Sequence, residues 1–467
     1  MPKIRYVFDT LFMTQDLVPI YRDHPPVNGP WIFYGIVNNP ALPLDRCLAI
    51  KHSPENWAFF DQRLEAGPPS VVEGIPTVLP DNYEKTNATF AINFDLIANS
   101  FYFLSSWPER HKTDHTNSRN LFADSVFNQY EIPQDIVDQY LAKLLNELNR
   151  LYNSLNLQPL EAFTWPQNKT FALVLSHDVD FIPSGLFENL RQGIKTLLRH
   201  LVRQRDPIDA FLAAKKLIQC LLDQQDPYGC VPEIIAEEQR LGVKSSFQVA
   251  VGHRHANDVN YYIENNSVRD YLSRILKQEF ELCLHGSYRS TEHLEWYKEE
   301  VKILTEHLGK PIGSRQHFLS FDYDRLFTAQ EQSGIQYDMS MGFPDKTGPR
   351  AGFSYPYFPY CLSEDKPYRV LQLNLFLMDV TLRGYMGLKG EKAWQAIKNT
   401  IDILRDKRGC ASVVWHPIVF GGARDPGYDE LYWQLVNYTH DTGGLATDGR
   451  TINDFWRNLA KNYISFH

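Results

Sequence analysis

Residues 171–180 read Phe-Ala-Leu-Val-Leu-Ser-His-Asp-Val-Asp. Five apolar residues run into a polar end, which is the length and composition of a buried strand meeting a loop. Asp178 and Asp180 stand two residues apart, so their side chains face the same way while the strand persists. One carboxylate of such a pair can hold a metal ion while the other takes a proton. The same pair can also do no more than cap the turn that follows.

Downstream the pattern is regular. Short β-rich runs at 171–176, 244–251, 281–285, 312–318, 336–340, 369–378 and 411–415 alternate with helical stretches. Pro232 opens one helix and Gly242 closes it, the usual asymmetry of helix ends. Leu294, Tyr297, Val301, Leu304 and Leu308 mark a second, and Ala393, Ile397, Ile401 and Leu404 a third. Two further helices, over 185–205 and 208–224, form an insertion after the first strand. Seven strands alternating with helices predict an α/β fold, either a parallel sheet or a barrel of (β/α) units, and such folds place their chemistry at the C-terminal strand ends.

Those ends are ionisable. The third strand finishes at His285, followed by Gly286-Ser287-Tyr288-Arg289. The fourth gives Arg315-Gln316-His317, the sixth ends at Asp379 and the seventh at His416-Pro417. A lone His at a strand end is either a metal ligand or a ring bonded to backbone. Charge is costly at a barrel mouth unless it is used, so together these residues favour a site.

Upstream, residues 1–165 predict a separate mixed α/β domain. Apolar runs at 4–8, 31–37 and 47–51 read as strands, and 90–106 reads as a buried helix. Residues 108–120, polar and His-rich, read as a surface loop. Tyr140, Leu141, Leu144, Leu148, Leu151 and Leu155 lie on one face of an amphipathic helix. The boundary falls between Gln158-Pro159 and Trp165-Pro166, giving domains 1–165 and 166–467.

Composition narrows the function classes. The chain has 467 residues, long enough for two or three domains, and its 43% hydrophobic content excludes a disordered or collagen-like chain. A net charge of −9 with no basic block makes nucleic acid and anionic membranes poor partners. No run approaches the ~18 apolar residues of a membrane span. The six cysteines contain no Cys-x-x-Cys pair, so neither a disulfide framework nor a thiolate zinc site is indicated, and a reducing cytoplasm is the expected compartment. Gly-x-Gly-x-x-Gly, Walker, His-Glu-x-x-His and Gly-x-Ser-x-Gly signatures are absent, which counts against nucleotide-binding, zincin and serine-hydrolase chemistry.

The order Asp178-x-Asp180, His285, Arg315 and His416 resembles the polysaccharide deacetylase superfamily of metal-dependent carbohydrate esterases. Gly348-Pro-Arg350-Ala-Gly-Phe-Ser354 and Leu377-Met-Asp379-Val-Thr-Leu382 are similar to a bacterial subgroup with an extra N-terminal domain, linked to surface polysaccharide loci. The resemblance implies a distorted (β/α)₇ barrel. It implies Asp178 as catalytic base, Asp180 and His285 as metal ligands, Arg315 as the residue orienting the base, and His416 as the acid protonating the leaving amine. It also implies a divalent metal, Zn²⁺ being the expected ion, and an acetylated amino-sugar glycan or precursor as substrate.

One position departs from that pattern. The family places a second histidine four residues after the first, where this chain has Arg289, and a guanidinium cannot ligate a metal. The His253-Arg254-His255 loop after strand two is expected to supply His253 or His255 as third ligand, with a vacant or water-filled position as the rival. His177 is nearer in sequence, but strand alternation turns it away from Asp178. The cluster Phe353, Tyr355, Tyr357, Phe358 and Tyr360 reads either as a sugar-stacking platform or as an ordinary packed loop. The expected activity is hydrolysis of an N-acetyl group from an acetamido sugar. The alternative is a catalytically degenerate barrel that binds glycan or partners during polysaccharide assembly.

Overall fold

Every residue of the strand that opens the barrel, β1 (Phe171–Val179), is buried, as expected of a parallel strand covered on both faces. In the computed structural model the described residues are 2–26, 28–35, 44–79, 88–110, 126–182, 185–222 and 227–463. They fall into two units, one of Thr164–Gly348 and Val370–Trp456, the other of Met1–Phe163, Pro349–Arg369 and the stretch from Arg457.

The first of these units holds the barrel. After β1 come β2 (Ser246–Val249), β3 (Glu281–Gly286), β4 (Gly313–Gln316) and β5 (Tyr337–Asp338). They are followed by β6 (Leu371–Gln372), β7 (Leu375–Met378), β8 (Cys410–Val414) and β9 (Gly444–Thr447). Their order is β6-β5-β4-β3-β2-β1-β8-β7, with β9 beside the first half of β1, and the pairings are parallel. The two edge strands, β6 and β7, are joined directly through Leu373-Asn374, and each is held to its inner neighbour. Leu371 N donates to Gln336 O at 2.8 Å on one side, and Ser412 N to Asn374 O at 2.8 Å on the other. The result is the α/β, distorted (β/α)₇ barrel expected from the sequence, with the sixth strand broken at Leu373-Asn374 and an eighth strand position, β9, that its short Gly-Leu-Ala-Thr run did not announce.

Alternation along β1 sorts its side chains. Phe171, Leu173 and Leu175 point outward with Ala411, Val413 and Trp415, and pack against Ile397, Ile401 and Val436 of the surrounding helices. Burying each large apolar side chain contributes roughly 2 kcal/mol. The opposite face sends Ser176 and Asp178 into the barrel. His177, as alternation requires, lies outside, its Nδ1 2.7 Å from Trp415 O and its Nε2 3.1 Å from Glu238 Oε1.

At the N-terminal strand ends Glu281 accepts hydrogen bonds from Tyr337 at 2.6 Å and Ser246 at 2.8 Å. Burial, with the charge of Asp448 adding to it, pushes its carboxyl from 4.5 up to about 7 against those bonds. A raised acid holds its proton more tightly folded than unfolded, so its contribution favours the fold at low pH and is lost as pH climbs from 4.5 through 7. Glu281→Gln should therefore flatten the pH dependence of the denaturation midpoint across that interval. It should also stabilise the protein at pH ~8 by up to ~3 kcal/mol. An unchanged slope would show that the carboxyl is ionised throughout.

In the other unit a three-stranded parallel sheet of Trp31–Gly35, Cys47–Lys51 and Ala91–Ile92 packs with helices Leu96–Leu104 and Ile136–Ser154. Residues 4–8, expected as a strand, belong to helix Pro2–Met13. A short apolar run does not distinguish the two, and Val7, Phe8, Leu11 and Phe12 fit the helical spacing. The loop expected over 108–120 lies outside the described residues beyond Arg110, and Trp107–Arg110 is helical.

The segment 349–369, expected in the barrel domain, belongs with this unit. Arg350 forks onto Glu109 at 2.6 and 2.7 Å, and Ser354 donates from N and Oγ to Asp138 at 3.0 and 2.6 Å. Phe353, Tyr355, Tyr357, Phe358 and Tyr360 are each at most 3% exposed. That burial decides between the two readings in favour of the packed loop, since rings so covered cannot meet a sugar.

Candidate active site

β3 and β4 pair in parallel with His285 opposite Arg315, so both side chains enter the barrel from neighbouring strands on the same face. Arg315 is fully buried, and each side of its guanidinium is used. Nη1 donates to Asp178 Oδ1 at 2.6 Å, Nη2 to Ser176 Oγ at 2.8 Å and Nε to Met339 O at 3.0 Å. Burial alone would raise Asp178, but the Arg315 charge, helped by His285 and His416, holds its carboxyl below the usual carboxylate value. Asp178 is thereby kept ionised and aimed.

His285 Nδ1 lies 3.0 Å from Arg315 O, and since a carbonyl only accepts, the proton sits on Nδ1. Nε2 then offers its lone pair, the arrangement by which a second partner orients a ligating imidazole. That atom is 3.2 Å from Asp180 Oδ1 and 3.8 Å from Asp178 Oδ2. His285 Nε2 and Asp180 Oδ1 are both buried and lack hydrogen-bond partners. Two facing buried acceptors without partners cost energy unless something positive lies between them.

His317 completes the group. One ligand atom each from Asp180, His285 and His317 lie within 4.8 Å of one another. His317 Nε2 stands 3.7 Å from Asp180 Oδ2, and its Nδ1 is another buried atom without a partner. Two imidazole nitrogens and one carboxylate oxygen are a common donor set for a catalytic divalent ion such as Zn²⁺, with positions left for water and substrate. The residues present therefore fit a metal.

The sequence places His317 at the end of a strand without marking it as a ligand. Its position depends on the backbone beyond β4, where Phe318 and Leu319 take left-handed conformations at φ 59° and 53°. Such conformations in bulky residues are strained and occur where function requires them. The signal available was the Arg315-x-His317 spacing, which matches strand period two.

His253 and His255, the expected third ligands, are not in the group. The His253 ring packs on Tyr262 at 4.0 Å between centroids and His255 on Tyr288 at 4.6 Å, while Arg254 between them lies 5.0 Å from the Trp296 ring. β2 ends at Val249, and the loop beyond it is tied down by these ring contacts. Arg289 is half-exposed, 3.9 Å from Glu292. Residues 288–292 form a turn rather than a helix, so residue 289 does not share the face of 285 as an i, i+4 pair would, and its charge is absent from the group.

His416 closes the site from β8. Its Nδ1 is 2.7 Å from Asp379 Oδ1, and its Nε2 is 3.5 Å from Asp180 Oδ2. Burial would depress the imidazole, but Asp379, by charge and hydrogen bond, with Asp180 and Asp178 adding, lifts it to about 9. Asp379 also accepts from the backbone N–H of Val380 at 2.8 Å, which fixes the carboxylate. An anionic group and a cationic group thus flank one three-ligand cluster. That pairing can take a proton from one reactant and give one to another.

Comparison with known proteins adds the following. A model of a family of unknown function, DUF7033, matches residues 1–153. No curated protein matches the chain. Among solved structures, a Mycobacterium smegmatis protein described as a polysaccharide deacetylase is 15% identical, with a TM-score of 0.41, over 63% of this chain and 93% of its own. The Puue allantoinase is 15% identical with a TM-score of 0.42 over 63% and 92%. A Pseudomonas aeruginosa protein described as a polysaccharide deacetylase is 14% identical with a TM-score of 0.41 over 63% and 93%.

Proposed function

We propose that the barrel is a metal-dependent hydrolase that removes the N-acetyl group of an acetamido sugar in a glycan or glycan precursor. The observation that carries this reading is geometric: Asp178, paired with Arg315, and His416, paired with Asp379, flank the Asp180, His285 and His317 group. A divalent ion held by those three residues supplies Lewis acidity for activating water and for stabilising charge on the acyl oxygen. Asp178 takes the proton of the attacking water, and Arg315 keeps that carboxylate ionised and pointed inward. The water oxygen bonds to the acyl carbon, the C–N bond breaks, and His416 passes its proton to the departing nitrogen. Acetate and a free amine result. Asp379 holds the His416 ring with Nε2 directed at the site.

Arg289 no longer argues for a degenerate barrel, because His317 offers the third ligand that Arg289 cannot. Buried thiols at Cys47, Cys230, Cys283, Cys361 and Cys410 suit a reducing compartment, and we place the reaction in the cytoplasm. With Zn²⁺ supplied, the purified protein should release acetate from acetylated amino-sugar oligomers. Chelation should stop the release and added metal should restore it. Inert protein with metal bound, across a broad panel of acetylated glycans, would overturn the assignment.

A further inference from the structure

The insertion after β1 consists of α1 (Leu186–Leu198), a wide helical turn over Arg199–Gln204, and α2 (Pro207–Leu222). The helices pack closely through Gly193, where an added Cβ would come 2.4 Å from Leu217 Cδ2. Ala210, Ala213 and Leu217 are buried on that inner side. The outer side is apolar as well. Phe187, Leu190, Ile194 and Leu198 follow helical spacing on α1 and are exposed, Phe187 by 80%. Ile208, Phe211, Ile218 and Leu222 do the same on α2, with Phe211 67% and Leu222 78% exposed. A globular helix buries such a stripe, and a continuous exposed one marks a surface that meets something.

The charges around the stripe say what it meets. Residues 186–222 carry seven Lys or Arg against three Asp or Glu, a net +4 in a chain whose total is −9. Two of the three acids, Asp206 and Asp209, are engaged by Lys389. Lys195, Arg203 and Arg205 are exposed beside the stripe, and Lys215, four residues after Phe211 and three before Ile218, is exposed within its α2 half. The overall charge argues against anionic surfaces for the chain as a whole, and the hairpin reverses that locally. Protein interfaces favour Tyr, Trp, Phe, Met and Arg at their centres and disfavour Lys. Phe187, Phe211 and the arginines suit either kind of partner, whereas Lys195, Lys215 and Lys216 suit the lipid one. The hairpin has no Tyr, Trp or Met between 186 and 222. Phe, Leu and Ile rimmed by Lys and Arg are instead the composition of a helix lying in a lipid headgroup layer.

We propose that this hairpin docks on an anionic lipid membrane surface. It lies on the surface and does not span it, since no helix among the described residues is long and apolar enough to cross a bilayer. The hairpin leaves β1 six residues after Asp180. It is pinned near the strand ends by Arg199, which bonds Asp425 Oδ1 and Arg424 O at 2.7 Å each. Docking therefore brings the open end of the barrel to the lipid. On the deacetylase reading above, on which this last step rests, the substrate is an amino sugar held at that surface by a lipid anchor.

The test is flotation of the full-length protein with phosphatidylcholine vesicles, with and without phosphatidylglycerol. Bound protein should rise about tenfold or more with the anionic lipid and fall as salt is added. Ile194→Glu with Phe211→Glu should return binding to the neutral-lipid background, while circular dichroism and metal content stay as in the parent. Lys195→Glu with Lys215→Glu should abolish the preference for anionic lipid. Failure of the parent protein to float would overturn the proposal. So would a dimer in the ultracentrifuge that Ile194→Glu with Phe211→Glu makes monomeric, since a second copy would then cover the stripe. Flotation needs no turnover, so protein that floats but releases no acetate would sink the hydrolase reading and leave this one standing.

Discussion

Asp178→Asn is expected to cut acetate release by about 10³-fold while leaving bound metal unchanged, the loss typical of a missing general base. The amide keeps the shape of the carboxyl, and its oxygen can still accept from Arg315 Nη1, which now reaches Asp178 Oδ1 at 2.6 Å. What disappears is the ability to take a proton. Metal content measured beside activity separates two roles. If the variant loses its metal along with its activity, Asp178 is a ligand, and the division of labour between Asp178 and Asp180 is wrong.

His317→Ala should weaken divalent-metal binding by more than ~100-fold. Loss of a residue that merely orients a ligand costs about 10–100-fold, and loss of a ligand costs at least as much. His285→Ala should match it, because both imidazoles belong to the same three-residue group. Replacing His253 and His255 together by Ala should leave occupancy near that of the parent, since their rings pack on Tyr262 and Tyr288 instead. Elemental analysis of the three variants decides the matter. Equal occupancy in His317→Ala and the parent would return the third position to another donor.

The contrast between those histidines shows what the amino-acid order can and cannot convey. Parallel strands of period two place Asp178, His285 and Arg315 by simple alternation, and in the structure these side chains meet. His416 needs only the strand before it. His317 depends on a left-handed turn at Phe318 and Leu319, a conformation bulky residues adopt only when the surrounding fold enforces it. The orientation of Arg289 likewise depends on residues 288–292 forming a turn and not a helix. The buried rings from Phe353 to Tyr360 were ambiguous for a different reason: their composition suits both a platform and a core, and only their partners distinguish the two. The strand assigned to residues 4–8 failed on length, five apolar residues being too few to reveal their period.

The path of the chain between the two units has a bearing on synthesis. It leaves the unit that holds the N-terminal residues at Phe163, returns for Pro349–Arg369, and returns again from Arg457. Domains generally fold as units while the ribosome is still working, the N-terminal one first. Here the unit begun first waits longest, because Arg350 and Ser354, which satisfy Glu109 and Asp138, are made after most of the barrel. Until then the nascent protein carries a half-built layer whose acids lack Arg350 and Ser354 and whose Tyr6 and Phe101 rings lack Tyr360. A gene cut after codon 163 would strand the Tyr360 ring in water on the barrel fragment, so the two halves are expected to be inherited, expressed and degraded together.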